Sequence, residues 1–240
     1  MLKSGLPLKK PSEIKVQLEQ GAGAATTALV YAAAEPRVGA ALILGHGAGA
    51  GQRSTFMVDF SRALSGMGAD VITFNFLYTE QQRRIPDRAP VLEAWYRAVI
   101  EAVRVEVESA RQRLFIGGKS MGGRIATQVA AADPHLDVAG LVLLGYPLHP
   151  PGKPEQRRDR HLPAIARPML VVQGSRDAFG TPAELAPILG ALDPVPVLHA
   201  VEKGDHSFKL SRKDPAAQAA VHVEIQHAII AFIAQTSQQR

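Results

Sequence analysis

From about residue 38 onward, short apolar runs alternate with longer segments whose apolar positions recur every three or four residues. The runs are Gly39–Leu44, Val71–Phe74, Arg113–Gly117, Gly140–Leu144, Pro168–Val172 and Val197–Val201. Most carry apolar residues at odd and even positions alike, the mark of a strand buried on both faces. Thr55–Met67, Pro90–Ser109, Arg124–Ala131, Pro182–Leu189 and Pro215–Ile233 read as helices, with Trp95 and Val99 on one side of the second. Strands and helices in strict alternation predict a mostly parallel sheet covered by helices on both faces. Ahead of them, Ile14–Glu19 and Thr26–Ala32 alternate apolar and polar residues around Gly21-Ala22-Gly23, which predicts an antiparallel pair.

No shift in composition divides the chain, so residues 1–240 are expected to form one domain, with flexible ends at 1–12 and 235–240. A hydrophobic content of 46% is enough for a substantial core. Two stretches break the alternation: Phe76–Pro90 and Tyr146–Pro163 are long, rich in Pro and Arg, and each follows a strand. Loops that follow the strands of a parallel sheet gather at its carboxyl edge, where ligands bind.

The net charge of +5 and pI near 9.6 raise the question of nucleic acid. The basic residues are dispersed among Asp and Glu, however, with no long run of like charge and no aromatic-basic ladder, and no nucleic-acid partner is expected. The absence of cysteine excludes disulfides, a thiolate nucleophile and cysteine metal sites, and suits a cytoplasmic location. The first eleven residues carry charge but no apolar signal-peptide core. The most apolar stretch, Val138–Leu148, is strand-sized and falls short of the ~20 residues of a membrane span, so no membrane association is expected.

The chemistry begins at Gly118-Lys119-Ser120-Met121-Gly122, a G-x-S-x-G pentapeptide between a predicted strand and a predicted helix. A serine on such a turn projects its hydroxyl beyond the carboxyl end of the sheet; this is the nucleophile elbow of α/β-hydrolases. Gly118-Lys119-Ser120 also matches the last three residues of a phosphate-binding loop, but that motif needs glycine where Arg113 stands and a loop where the chain reads as strand. Gly45-His46-Gly47-Ala48-Gly49-Ala50 satisfies a dinucleotide fingerprint, yet the end of the following strand carries Asn75 in place of the required acid. The turn is better read as an oxyanion loop, with the backbone N–H groups of Ala48 and Met121 aimed at a substrate oxygen.

A nucleophilic serine needs a base, and the base an orienting acid. Asp177 follows the strand Pro168–Val172 and His206 follows Val197–Val201, which brings both to the edge occupied by Ser120, in the chain order of an α/β-hydrolase. Glu184 and Asp205 are the alternative acids; Asp177 is preferred because it follows the penultimate strand. No histidine pair stands at ligand spacing on a helix, and neither metal nor organic cofactor is expected.

Taken together, Gly45-His46-Gly47-Ala48-Gly49, Gly118-Lys119-Ser120-Met121-Gly122-Gly123, Gly174-Ser175-Arg176-Asp177 and Gly204-Asp205-His206-Ser207-Phe208 make the chain resemble the small dienelactone-hydrolase-like α/β-hydrolases. The similarity extends to the predicted-hydrolase group that includes testis-expressed protein 30. It implies a mostly parallel, eight-stranded α/β-hydrolase fold with Ser120, Asp177 and His206 as the triad, but no substrate. Our reading of the residues is a serine hydrolase acting on an ester, thioester or lactone, and the short Tyr146–Pro163 segment leaves little room for a large lid domain. At the mouth of the site we expect His46, Tyr78, Arg83, Arg84 and Tyr146. The excess of arginine in the two long loops, with Lys119 beside the serine, points to a small-molecule substrate bearing an anionic group.

Overall fold

The computed structural model describes residues 10–18, 23–210 and 214–236. Eight strands form one sheet in the order β1-β2-β4-β3-β5-β6-β7-β8. The strands are β1 (Ser12–Gln17), β2 (Ala25–Tyr31), β3 (Ala41–Gly45), β4 (Asp70–Phe74), β5 (Leu114–Lys119), β6 (Gly140–Leu144), β7 (Met169–Gly174) and β8 (Val197–Val201). β1 and β2 pair antiparallel, β2 meets β4 antiparallel, and every remaining pairing is parallel. Of the expected flexible ends, 1–9 and 237–240 lie outside the described residues, whereas Ser12 opens β1 and Gln235 belongs to the last helix.

Alternate residues of the parallel strands feed two separate cores. Ile43, Ile116, Leu141, Leu143 and Val171 face one helical layer, made by α3 (Ala89–Glu106), α5 (Met121–Ala132) and α6 (Pro182–Leu189). Leu42, Leu44, Phe115, Val142 and Val172 face the other, made by α1 (Thr55–Gly66) and α7 (Pro215–Gln235). Two-sided burial is the reason these strands read as continuous apolar runs.

Three sequence expectations are corrected. The helix predicted over Pro90–Ser109 is two helices, α3 and α4 (Glu108–Gln112), separated by Val107, whose backbone is extended with φ −114° and ψ 113°. Val103, Val105 and Val107 are β-branched and weaken the helix here, and the break turns Val107 into the core. The loop after β4 contains a short helix, α2 (Leu77–Glu80). Finally, α7 spans 21 residues with a mean hydropathy of 1.3, long and apolar enough by length and composition to cross a membrane. It instead lays Ile225, Ile229, Phe232 and Ile233 against the sheet.

The carboxyl ends of β3, β5, β7 and β8 carry the loops that matter for chemistry. The segment 146–161 after β6 contains no helix or strand, so no lid domain is inserted there.

Candidate active site

Ser120 sits between β5 and α5 with φ 52° and ψ −115°, a conformation an L-residue adopts only at a cost of about 1–3 kcal/mol. The surroundings hold it there. Its N–H donates to the Leu144 carbonyl at 2.9 Å, and its own carbonyl accepts from Arg124 N–H at 3.1 Å. The turn is possible because α5 starts almost on top of β3: a Cβ at Gly122 would stand 2.1 Å from the Gly45 carbonyl oxygen. Only glycine fits that approach.

Ser120 Oγ lies 2.8 Å from His206 Nε2, and His206 Nδ1 lies 2.7 Å from Asp177 Oδ2. With a carboxylate facing Nδ1, that nitrogen carries the proton and Nε2 is left as the acceptor for the serine hydroxyl. Phe179 packs its ring 4.2 Å from that of His206, limiting rotation of the imidazole.

Asp177 is fully buried and doubly supported. Oδ1 accepts from Phe179 N–H at 2.8 Å, and Oδ2 accepts from Gln173 Nε2 at 2.8 Å. Gln173 in turn donates to the Gly180 carbonyl at 2.6 Å and accepts from Tyr146 N–H at 2.8 Å, which ties the loops after β6 and β7 together. The partner of His206 Nδ1 is Asp177, and both alternative acids are engaged elsewhere. Glu184 closes a capping box with Thr181 at the start of α6, whose bonds hold its carboxyl below the usual range, and it reaches His149. The Asp205 carboxylate accepts from Ser207 and Lys209 N–H within its own turn.

The glycine turn after β3 lies against the elbow, where a Cβ at Gly47 would be 3.5 Å from Ser120 Cβ. Ala48 and Met121 both line the cleft beside Ser120. Met121 is the first residue of α5, and the N–H groups of a first turn have no partner within the helix.

Three expected mouth residues are scaffolding instead. His46 is buried: Nδ1–H donates to the Gly47 carbonyl at 2.9 Å, Nε2 accepts from Phe76 N–H at 3.1 Å, and burial pushes its pKa down. It pins the turn after β3 to the segment after β4. Tyr78 is buried beside it, and Tyr146 donates its hydroxyl to the Arg158 carbonyl at 2.6 Å. Arg83 is exposed and pairs with Asp87 at 2.7 Å, and Arg84 is exposed away from the cleft lining. For Tyr78, Arg83 and Arg84 the reason is common: the loop after β4 folds back on β2, where Glu80 accepts from Thr26, and presents Pro86 and Asp87 to the cleft.

The cleft has a volume of about 920 Å³, with Ser120 between two walls. Phe56, Phe60, Gln218 and His222, from α1 and α7, line one. The other carries Leu92, Pro147 and two arginines, Arg124 and Arg158. Burial lowers the Arg124 pKa first, and the adjacent Arg158 charge lowers it further. Sequence reading passed over Arg124, although its place four residues after Ser120 on one helix face was the available signal.

An eight-stranded, mostly parallel sheet with a strained serine at the β5–α5 turn defines an α/β-hydrolase fold. The sequence model of the family described as "Alpha/beta hydrolase domain" matches residues 38–234, and the chain belongs to that family. Solved structures share the fold across almost their whole length. A lid-less α/β serine hydrolase from Xanthomonas campestris is 20% identical, with 93% of this chain and 95% of that one covered at a TM-score of 0.70. A dienelactone hydrolase from Anabaena variabilis is 18% identical, with 93% and 99% covered and a TM-score of 0.71. A serine hydrolase homologue from Coxiella burnetii is 16% identical, with 92% and 96% covered and a TM-score of 0.70. At these identities the likeness concerns the fold.

Proposed function

We propose that this protein is a serine hydrolase that cleaves a small ester, thioester or lactone carrying an anionic group. The observation that carries the reading is the unbroken hydrogen-bonded path from Ser120 through His206 to Asp177. Ser120 Oγ attacks the acyl carbonyl while His206 Nε2 takes its proton, and Asp177 stabilises the imidazolium that forms. The Ala48 and Met121 N–H groups receive the developing oxyanion, each donor contributing about 10²–10³ in rate. Collapse of the tetrahedral intermediate breaks the bond to the leaving group, which takes the proton from His206. Water, activated by the same imidazole, then releases the acid and restores Ser120.

The anionic preference rests on Arg124 and Arg158. Two like charges side by side on a half-buried wall are relieved by an incoming carboxylate, and the guanidinium fork matches that group. Asp87, on the same wall, is already engaged by Arg83.

The test is labelling by a fluorophosphonate, which should modify the wild type at Ser120 and fail on Ser120→Ala. Labelling that persists in the alanine variant overturns the assignment, and a folded wild type that never labels is a binding module. For the substrate class, kcat/KM is compared for matched neutral and anionic esters. We expect an advantage of roughly tenfold for the anion at low salt, reduced at high salt by screening and lost in Arg124→Met/Arg158→Met. Equal rates for the two esters would remove the anionic part of the reading.

A further inference from the structure

Lys119, the residue before the serine, is not used in the scheme above. Its backbone is held in β5, paired with Leu144 of β6, and its side chain is buried. The ammonium turns under the loop after β8 and donates to the main-chain carbonyl of His206 at 2.5 Å. The Phe208 ring lies 5.4 Å from Nζ and offers a cation–π contact. Gly145, at φ +66°, makes room for it, since a Cβ there would stand 2.7 Å from Nζ. We propose that Lys119 is the positioning residue of the base: it ties the His206 main chain to the strand that carries Ser120, and so sets the separation of imidazole and hydroxyl.

This rests on the serine-hydrolase reading of the site. Other bonds shape the His206 loop without reaching β5. The Asp205 carboxylate closes its turn, and Arg176 N–H donates to the Gly204 carbonyl from the β7 side. Lys119 is the link to the nucleophile strand, and main chain and side chain of one residue thereby locate both reacting groups.

Burial disfavours the charged form of this ammonium. The charged and titratable groups facing the ammonium are Asp177 on the loop after β7 and Asp205 and His206 on the loop after β8; among the described residues neither carboxylate forms an ion pair with it. Burial pulls the Lys119 pKa down to about 8, with Asp177 and Asp205 opposing. An ion that burial disfavours yet that grips the base-bearing loop is a group retained for geometry. Above pH 8 it becomes a neutral amine and a weaker donor, so activity should decline there.

Lys119→Met removes the donor at similar length, and Lys119→Arg keeps a charged donor. A misplacement of about 1 Å costs on the order of 10² in rate, so Lys119→Met should lower kcat and the fluorophosphonate labelling rate 10- to 100-fold. KM should stay within about twofold, the Tm at pH 7 should hold or rise, and the alkaline decline near pH 8 should vanish. Lys119→Arg should recover part of the rate and move the decline to higher pH. Wild-type labelling with an equal rate in Lys119→Met overturns this proposal alone, as does equal loss in both variants or a loss matched by a fall in Tm. Absence of labelling in the folded wild type instead removes the reading beneath it.

Discussion

Gln173→Met tests how the acid is held. Gln173 is fully buried at the end of β7 and serves four groups: Asp177 Oδ2, the Gly180 carbonyl, and the N–H and carbonyl of Tyr146. Methionine keeps the length and removes every polar atom. Leaving Tyr146 N–H and the Gly180 carbonyl unpaired costs about 1–3 kcal/mol each, and loss of a charged bond to Asp177 about 1.5–3 kcal/mol. Phe179 N–H still serves the other carboxylate oxygen, which limits the last cost. A destabilisation of about 4–6 kcal/mol is expected, a large fraction of the ~5–15 kcal/mol typical of a folded domain. Urea unfolding followed by circular dichroism gives the number, read as a shift of the midpoint at unchanged slope. A change below about 1 kcal/mol would mean that Gln173 is not the pin between the two loops. Activity per folded molecule should fall as well, because a less constrained Asp177 orients His206 less well.

Asp177→Asn should lower kcat by roughly 10⁴ through the wrong imidazole tautomer while leaving the fold intact; a loss under tenfold in steady-state assays would move the acid role elsewhere. Gly122→Ala drives a Cβ to within 2.1 Å of the Gly45 carbonyl, so thermal unfolding should show a loss of at least ~3 kcal/mol or failure to accumulate folded protein. Lys119 makes a signed prediction for stability. Its folded pKa of about 8 lies below the unfolded value of 10.5, so between those pH values the unfolded chain binds the extra proton and stability gains with rising pH. The gain is about 3 kcal/mol at full amplitude. Subtracting the stability–pH curve of Lys119→Met isolates it, and a flat difference from pH 8 to 10.5 would count against a buried ammonium.

The central strands were readable because they are buried on both faces and the helices are not; Gly140–Leu144 carries the predicted bounds, and so does the edge strand Val197–Val201, although it is only partly buried. The elbow was readable because its glycines are forced by contact with β3. The α3–α4 break was hidden, since Val107 continues the apolar pattern while leaving the helix. The mouth was misread for a different reason. Polar aromatic residues in a loop beside the site look like substrate contacts, yet His46, Tyr78 and Tyr146 spend their polar atoms on the main chain of neighbouring loops or lie sealed in the core. Which way a loop folds depends on long-range contacts that local pattern does not carry. Two signals were nonetheless present. Lys119 and Gln173 are polar residues at the ends of strands buried along their length, and such residues sit there only when a specific partner holds them. The Thr181-x-x-Glu184 spacing of a capping box likewise marked Glu184 as a helix start and not the acid.

The close approach of Gly45 and Gly122 separates reactivity from selectivity in this molecule. The serine is located by main chain resting on main chain, at the junction of β3 and α5. The walls that meet a substrate come mostly from other places: α1 and α7 on one side, and α3 with the loops after β4 and β6 on the other, where α5 adds Arg124. Replacing Phe56, Phe60 or Pro86 therefore reshapes what is admitted without moving the atom that attacks. A library confined to those walls should yield variants of altered preference that keep the wild-type rate toward a minimal, wall-independent probe.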